Sequence, residues 1–414
     1  MTKKAKNKVP ELRFPEFHGD WETNRVDRFL VRYVNPVKVE PETIYKQIGI
    51  RSHGKGIFHK DPVTGEALGN KRVYWVHPEA FTINIVFAWE QAVALTSSDE
   101  EGYIASHRFL MFLPKENRAD LNFVLLFFLR KHGKHLLELA SPGGAGRNKT
   151  LGQDSFAELE ITLPKKEEQK KIASFLEAVN ARLTHLCRKR ELLQTYKRGV
   201  MQKLFSQKIR FKQSDGSPFS NWEEKKLGEV FDFKNGINAE KSKYGRGKKF
   251  INVLDIINDA PISHDSIIGS VEITEQEFEN NDVKYGDILF QRSSEIREEA
   301  GQSNVYLDKN KKATFGGFVI RGRPKISFNP IYFHNLLKTE AVRKEITNRS
   351  GGSTRFNVGQ DSLSEVTIVF CTSIEEQGKI ADFLTAIDQK IEAISHQIDC
   401  VEQFKKGLLQ KMFV

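Results

Sequence analysis

Cysteine is scarce: Cys187, Cys371 and Cys400 are the whole complement of a 414-residue chain. Three thiols without a CxxC pair support neither a disulfide framework nor a cysteine zinc site, and they fit a reducing cytoplasm. Long apolar runs are missing too. The most apolar stretch, FVLLFFL from Phe123 to Leu129, has about a third of the residues a helical bilayer span needs. The lysines of the opening MTKKAKNKVPELRF are followed by no apolar segment of the kind an export signal carries. The expected location is cytoplasmic, with no membrane partner.

Acidic residues are outnumbered, 54 against 64 Lys and Arg, giving a net charge of +10. That balance favours a polyanionic partner over an acidic small molecule, nucleic acid first, and is shared by ribosomal, membrane-surface and plain basic proteins. The remaining composition, 39% hydrophobic and 29% charged, is that of a globular protein of several domains.

Signatures of catalysis are also lacking. Gly49 to Lys55 follows G-x-x-x-x-G-K, but Gly56 occupies the place where a phosphate loop has the Ser or Thr that holds magnesium. Asn329-Pro330-Ile331-Tyr332 is similar to the NPPY element of amino-methyltransferases with one proline missing. No glycine-rich S-adenosylmethionine loop stands upstream, and Asn-Pro before HNLLKTEAV reads as a helix start with proline at its first position. His132 and His135 are spaced i, i+3 and read by default as surface histidines, so no metal site is expected.

What the chain does contain is one long stretch twice. GQDSFAELEITLPKKEEQKKIASFLEAVNARL…QKLF begins at Gly152 and GQDSLSEVTIVFCTSIEEQGKIADFLTAIDQKI…QKMF at Gly359. From Gln169 and Gln377 onward the copies align without a gap, pairing Ile172 with Ile380, Lys197 with Lys405 and Phe205 with Phe413. Such a repeat divides the polypeptide into two similar halves. Each half also opens alike, with LRFPEFHGDW from Leu12 and IRFKQSDGSPFSNW from Ile209.

Apolar residues in each copy recur at steps of three and four: Ile172, Leu176, Val179, Leu183, Leu186 and Leu193 in the first, and Ile380, Leu384, Ile387, Ile391, Ile394, Ile398 and Val401 in the second. This is a heptad seam that needs a partner helix. A helix of roughly 40 residues would be about 60 Å long. Lys165 to Lys212 carries fourteen basic and four acidic residues, Glu375 to Lys411 five basic and seven acidic, so the two helices are suited to pair with each other.

Between the helices the pattern is mixed. Short apolar runs such as YKQIGI, KRVYWV, TINIVFAW and RFLMFL in the first half, and KFINVLDII, SIIGSVEIT, GDILFQRSS, SNVYLD and GFVIRG in the second, read as strands. FVLLFFLRKHGKHLLELA and the segment from Pro330 to Asn348 each read as one helix. The predicted division is a disordered basic lead-in over 1–11, a globular domain over 12–163, a long helix over 164–208, a second globular domain over 209–372 and a second long helix over 373–414.

On these features the whole chain resembles the DNA specificity subunits of type I restriction-modification systems. The resemblance rests on EEQKKIASFLEAVNARL and EEQGKIADFLTAIDQKI, on their QKLF and QKMF ends, and on the RF…W openings. It implies an α+β fold with two target-recognition domains, an internal pseudo-twofold repeat, and two long helices in an antiparallel coiled coil. It also implies that each domain reads one half of a bipartite duplex DNA site. The helices would fix the spacing and dock two methyltransferase subunits that use S-adenosylmethionine, and a motor-nuclease subunit using ATP and magnesium can join. The chain itself would have no catalysis and no cofactor.

Candidate DNA contacts follow from basic and polar residues near flexible backbone. In the first domain they are Arg51, His53, Lys55 and Lys60 around a glycine loop, Lys71, Arg72 and Arg108, and the loop residues Arg147, Asn148 and Lys149. In the second they are Arg246 and Lys248, then Arg292, Ser293 and Arg297 of QRSSEIR, and Ser353, Thr354 and Arg355. Arginine can clasp guanine or hold a phosphate, and either role suits Arg147 and Arg355. The competing readings are a plain hairpin turn for the glycine loop, a tie from loop to globule for Arg147 and Arg355, and solvated surface for the basic-polar strings of the second domain.

Overall fold

The computed structural model describes residues 8–143 and 149–414. The chain is α+β and divides into two compact units, Met1–Cys187 with His396–Val414, and Arg188–Ser395. Each unit therefore holds one globular domain and part of both long helices, Lys166–Phe205 and Ile374–Lys411.

In the first unit a four-stranded sheet has the order Leu30–Tyr33, Phe109–Pro114, Phe81–Asn84, Val93–Leu95. A second sheet places Ile44–Ile50 between Ile57–Thr64 and Tyr103–Ser106, with Val73–Trp75 beyond. Successive residues of a strand face opposite ways. Accordingly Leu110 and Phe112 join one core while Phe109 and Met111 join another.

The second unit repeats this plan. Its four-stranded sheet runs Phe231–Asn235, Val319–Pro324, Ile288–Gln291, Ser303–Val305, and its three-stranded sheet runs Ser270–Val271, Tyr244–Ile251, Thr314–Phe315. In both units a parallel strand pairing falls at the matching place, Ile44–Ile50 with Tyr103–Ser106 and Tyr244–Ile251 with Thr314–Phe315.

Several elements depart from expectation. FVLLFFLRKHGKHLLELA is two helices, Leu121–Leu129 and Lys131–Leu139, because Arg130 is extended between them. Gly133 permits the fold-back: a Cβ there would lie 2.2 Å from the Phe127 carbonyl oxygen. The expected helix from Pro330 to Asn348 is likewise two, Pro330–Leu337 and Glu340–Asn348, broken at the extended Thr339. KFINVLDII leaves its strand at Ile251 because Asn252 caps a short helix, Val253–Ile256, through the Leu254 N–H. Of SIIGSVEIT only Ser270–Val271 is strand. Lys8 to Glu11, expected in a disordered lead-in, are tied down: the Lys8 carbonyl accepts from the Trp21 N–H and Glu11 pairs with Lys411 at 2.8 Å. Residues 1–7 lie outside the described residues.

The repeated motifs turn out to be clamps. In the first unit Glu168 of EEQ accepts two hydrogen bonds from Arg13, at 2.8 and 2.7 Å, and one from Trp21 Nε1 at 3.3 Å. In the second, Glu376 does the same for Arg210, at 3.0 and 2.8 Å, and for Trp222 Nε1 at 3.3 Å. The next residue holds a helix start: Gln169 accepts from the Asp120 N–H, and Gln377 from the Asn329 N–H. So the RF…W opening and the EEQ motif are two sides of one contact. The QKLF and QKMF ends close the same cores. Phe205 packs against Trp222 and Tyr332, and Phe413 against Trp21 and Phe123.

Of the seam residues, Ile172, Leu176, Leu186, Ile380, Leu384, Ile387, Ile394 and Ile398 are buried, and Val179, Leu183, Leu193, Ile391 and Val401 half-buried. Within the second unit the two helices run antiparallel, since Lys197 pairs with Asp388 and, further along, the Lys212 carbonyl accepts from Lys379. Among the described residues no helix is long and apolar enough to cross a membrane.

Candidate nucleic-acid interface

Both domains build their candidate surface on one backbone frame. The third strand in the order of the four-stranded sheet ends at Asn84 in the first domain and Gln291 in the second. The next residue, Ile85 or Arg292, donates its N–H to the carbonyl of the residue preceding the neighbouring strand, Arg108 or Phe318, both at 2.9 Å. Its own carbonyl accepts from Leu151 or Val358, again at 2.9 Å in both. Gly152 and Gly359 then lead into the matching short helices Gln153–Ala157 and Gln360–Ser364. The frame is shared, and the side chains it presents are not.

In the second domain this frame gathers most of the expected residues. Ser293 and Ser294 pair with Asn357 and Phe356 in a two-stranded sheet, which brings QRSSEIR against the loop carrying Ser353, Thr354 and Arg355. Arg355 approaches Glu295 at 3.8 Å, Arg292 Nη1 donates to the Gly317 carbonyl, and the Arg297 guanidinium lies 6.0 Å from the Phe356 ring. A cavity of about 430 Å³ opens here, lined by Gln291, Ser293, Glu295, Ile296, Phe318 and Arg355 among others. Arg246 and Lys248 stand on a different strand, Tyr244–Ile251, where each is neutralised by a carboxylate, Glu272 and Glu275 respectively.

In the first domain, Arg51 to Gly56 is the tip of an antiparallel hairpin, with Ile50 opposite Ile57. His53, Gly54 and Gly56 have positive φ. The tip is tied to the globule: His53 and Gly54 donate to the carbonyls of Glu90 and Gln91, and Ser52 to the Glu90 carboxylate. A strand-and-hairpin setting replaces the strand-loop-helix a phosphate loop requires. Gly49 serves packing, since the Phe58 ring lies where its Cβ would be, and the Arg51 guanidinium covers that ring at 4.8 Å.

Arg51, His53, Lys55, Lys60, Lys71, Arg72 and Arg108 are all exposed. Arg72 and Arg108 are neighbours, because the His107 N–H donates to the Arg72 carbonyl. Lys149 is half-buried with its ammonium 5.4 Å from the Trp89 ring. Arg147 and Asn148 lie outside the described residues.

The methyltransferase-like string has a structural role. Asn329 caps its helix by accepting from Ile331 and Tyr332 N–H groups, and Tyr332 is fully buried with its hydroxyl donated towards by the Cys371 N–H. Burial beside Glu376 pushes the Cys371 thiol up to about 12, so it is an inert core group. Among the described residues no group of three or more His, Cys, Asp or Glu could hold a metal ion.

Sequence reasoning missed Phe318 and Ile296. Both are large, apolar and exposed, at 60% and 52%. Strand and turn patterns place such residues in a core by default, and only the assembled loops show them facing outward.

The model of the type I restriction modification DNA specificity domain matches residues 69–194 and 219–403. The chain belongs to this DNA specificity family. It is 24% identical over 428 residues to the type I restriction enzyme MjaVIII specificity subunit of Methanocaldococcus jannaschii, covering 96% of this chain and 94% of that one. The putative MjaX specificity subunit of the same organism is 24% identical over 330 residues, 77% of this chain and 73% of that one. Among solved structures, the HsdS subunit of Thermoanaerobacter tengcongensis aligns with a TM-score of 0.53 at 19% identity, over 95% of this chain and 96% of that one. The type I S subunit from M. genitalium aligns with a TM-score of 0.56 at 16% identity, over 98% and 99%. These likenesses extend the fold to the full chain. As a type I specificity subunit the protein has a role in DNA sequence specificity.

Proposed function

We propose that this specificity subunit is the non-catalytic DNA reader of a type I restriction-modification complex, each globular domain recognising one half of a bipartite duplex site. The observation that carries this reading is the shared backbone frame with divergent side chains. Ile85 and Arg108 in one domain correspond to Arg292 and Phe318 in the other, which is what two readers of different half-sites built on one scaffold require. The net charge of +10 supports a phosphate-backed partner.

The long helices hold the two readers in register and dock two methyltransferase subunits, which bring S-adenosylmethionine and methylate adenine. A motor-nuclease subunit supplies ATP and magnesium chemistry. Exposed Leu192, Tyr196 and Phe404 on the helices are suited to such docking. Mapping modified adenines in DNA from cells with and without the chain tests the reading: one bipartite motif should vanish with it. Robust methyl transfer from S-adenosylmethionine by the isolated chain would overturn it.

A further inference from the structure

The turn that precedes Val319–Pro324 carries a residue whose chemistry is opposite to that of its counterpart. In the first domain the position is Arg108, a cation, beside the apolar Ile85; in the second it is Phe318, apolar, beside the cation Arg292. Identical hydrogen bonds hold both pairs, so backbone geometry does not demand either side chain. A phenyl group with 60% of its surface in water is unfavourable for stability alone.

The surroundings narrow what Phe318 meets. Ile296 lines the same cavity, which therefore presents two exposed apolar groups. Glu295 and Glu299 line it as well, and Glu295 is nearly fully exposed. Arg355, 3.8 Å from Glu295, and Arg292, whose N–H donates to the Phe318 carbonyl, offset those carboxylates, so the exposed apolar groups are what distinguish this surface. Gln291 lies beneath, buried, its Nε2 donating to the Ser293 carbonyl and its Oε1 without a donor among the described residues.

In the major groove of unmodified DNA only an A·T pair offers an apolar group, the thymine 5-methyl, and the same pair presents the adenine amino donor. A G·C pair offers an amino donor but no methyl. Exposed apolar groups beside acceptor side chains therefore complement an A·T pair. Resting on the function proposed above, we infer that Phe318, with Ile296, is a specificity-determining contact to a thymine methyl in the half-site read by the second domain.

The test uses the full chain. Selection from a random duplex library gives its motif, and each thymine of the selected duplex is then replaced singly by deoxyuridine, which lacks only the methyl. Affinity is read by fluorescence anisotropy. One position in one half-site should weaken about four-fold, the value of one buried methyl. Phe318→Ala should lose that discrimination, binding both duplexes alike at the position, while Phe318→Leu keeps it. Three results would overturn the inference: no deoxyuridine effect at any position, an unchanged thymine preference in Phe318→Ala, or an equal loss on every duplex, which would mark a wedge or a structural role. If the wild-type chain selected no motif, the DNA-reading function itself would fail, and this inference with it.

Discussion

Replacing Glu376 with Gln should weaken the second unit by about 3 kcal/mol at neutral pH. The carboxylate is fully buried while Arg210 is about one-fifth exposed, and it accepts from Arg210 Nε and Nη2, Trp222 Nε1 and Cys371 Sγ. Breaking a buried charge pair costs roughly 3–5 kcal/mol. The partial exposure of Arg210, and its remaining bond to the Ser220 carbonyl, favour the lower end. Burial opposes ionisation of Glu376, but the hydrogen bonds from Arg210, Cys371 and Trp222 outweigh it and hold the carboxyl below its ordinary 4.5. A depressed carboxyl stabilises above the unfolded value and loses that contribution as pH falls through the folded one. The gap between wild type and variant should therefore be full at pH 7 and shrink below about pH 4.5. Trp222 is the one tryptophan of the second unit, the other three being Trp21, Trp75 and Trp89. Thermal unfolding followed by its fluorescence, in a chain with those three replaced by Phe, isolates the effect. For a unit of this size the midpoint should drop by roughly 6–12 °C. A shift under about 2 °C, or one that persists unchanged in acid, would refute the clamp as a source of stability.

Phe413→Ala should destabilise the first unit by about 3 kcal/mol, because its ring stacks on Phe123 at 5.0 Å, meets Trp21 at 6.5 Å and lies under the Arg130 guanidinium at 4.4 Å; calorimetry should show the second unit's transition unmoved. Gly49→Val should cost about 1–3 kcal/mol by driving a side chain into the Phe58 ring, read as a lower denaturation midpoint in urea. Inserting a helical segment near Leu186 should change the number of unread base pairs between half-sites and leave each half-site unchanged, as mapped by adenine modification in cells.

The long helices were legible because their signal is periodic and repeated: every seam position from Ile172 to Val401 is buried or half-buried. The strands YKQIGI and RFLMFL were legible from composition. Helix breaks were not. Nothing local announces that Arg130 is extended, since the cause is the fit of Gly133 against the Phe127 carbonyl. Nor could the sequence relate Arg13 to Glu168 across 155 positions, although both lie in repeated motifs. At the candidate interface, charge and flexibility pointed to Arg292, Ser293 and Arg355, which do converge. The same criteria are blind to Phe318, since an exposed phenylalanine differs from a buried one only in its surroundings.

Each core uses helix ends from both copies of the repeat. The first encloses Ile172 and Leu176 with Leu408, Met412 and Phe413; the second encloses Val200 and Leu204 with Ile380, Leu384 and Ile387. A helix that starts in one core and ends in another cannot slip along its partner without withdrawing Phe205 from Tyr332 or Phe413 from Trp21. Withdrawal of one such ring costs on the order of 3–5 kcal/mol, well above the fraction of a kcal/mol available from a surface ion pair such as Lys197 with Asp388. The aromatic ends, more than the charges along the seam, therefore set the register of the helices. A spacing change that evolution or design can tolerate must accordingly add or remove residues between the cores, near Leu186 or Ile394, while keeping both aromatic ends in place.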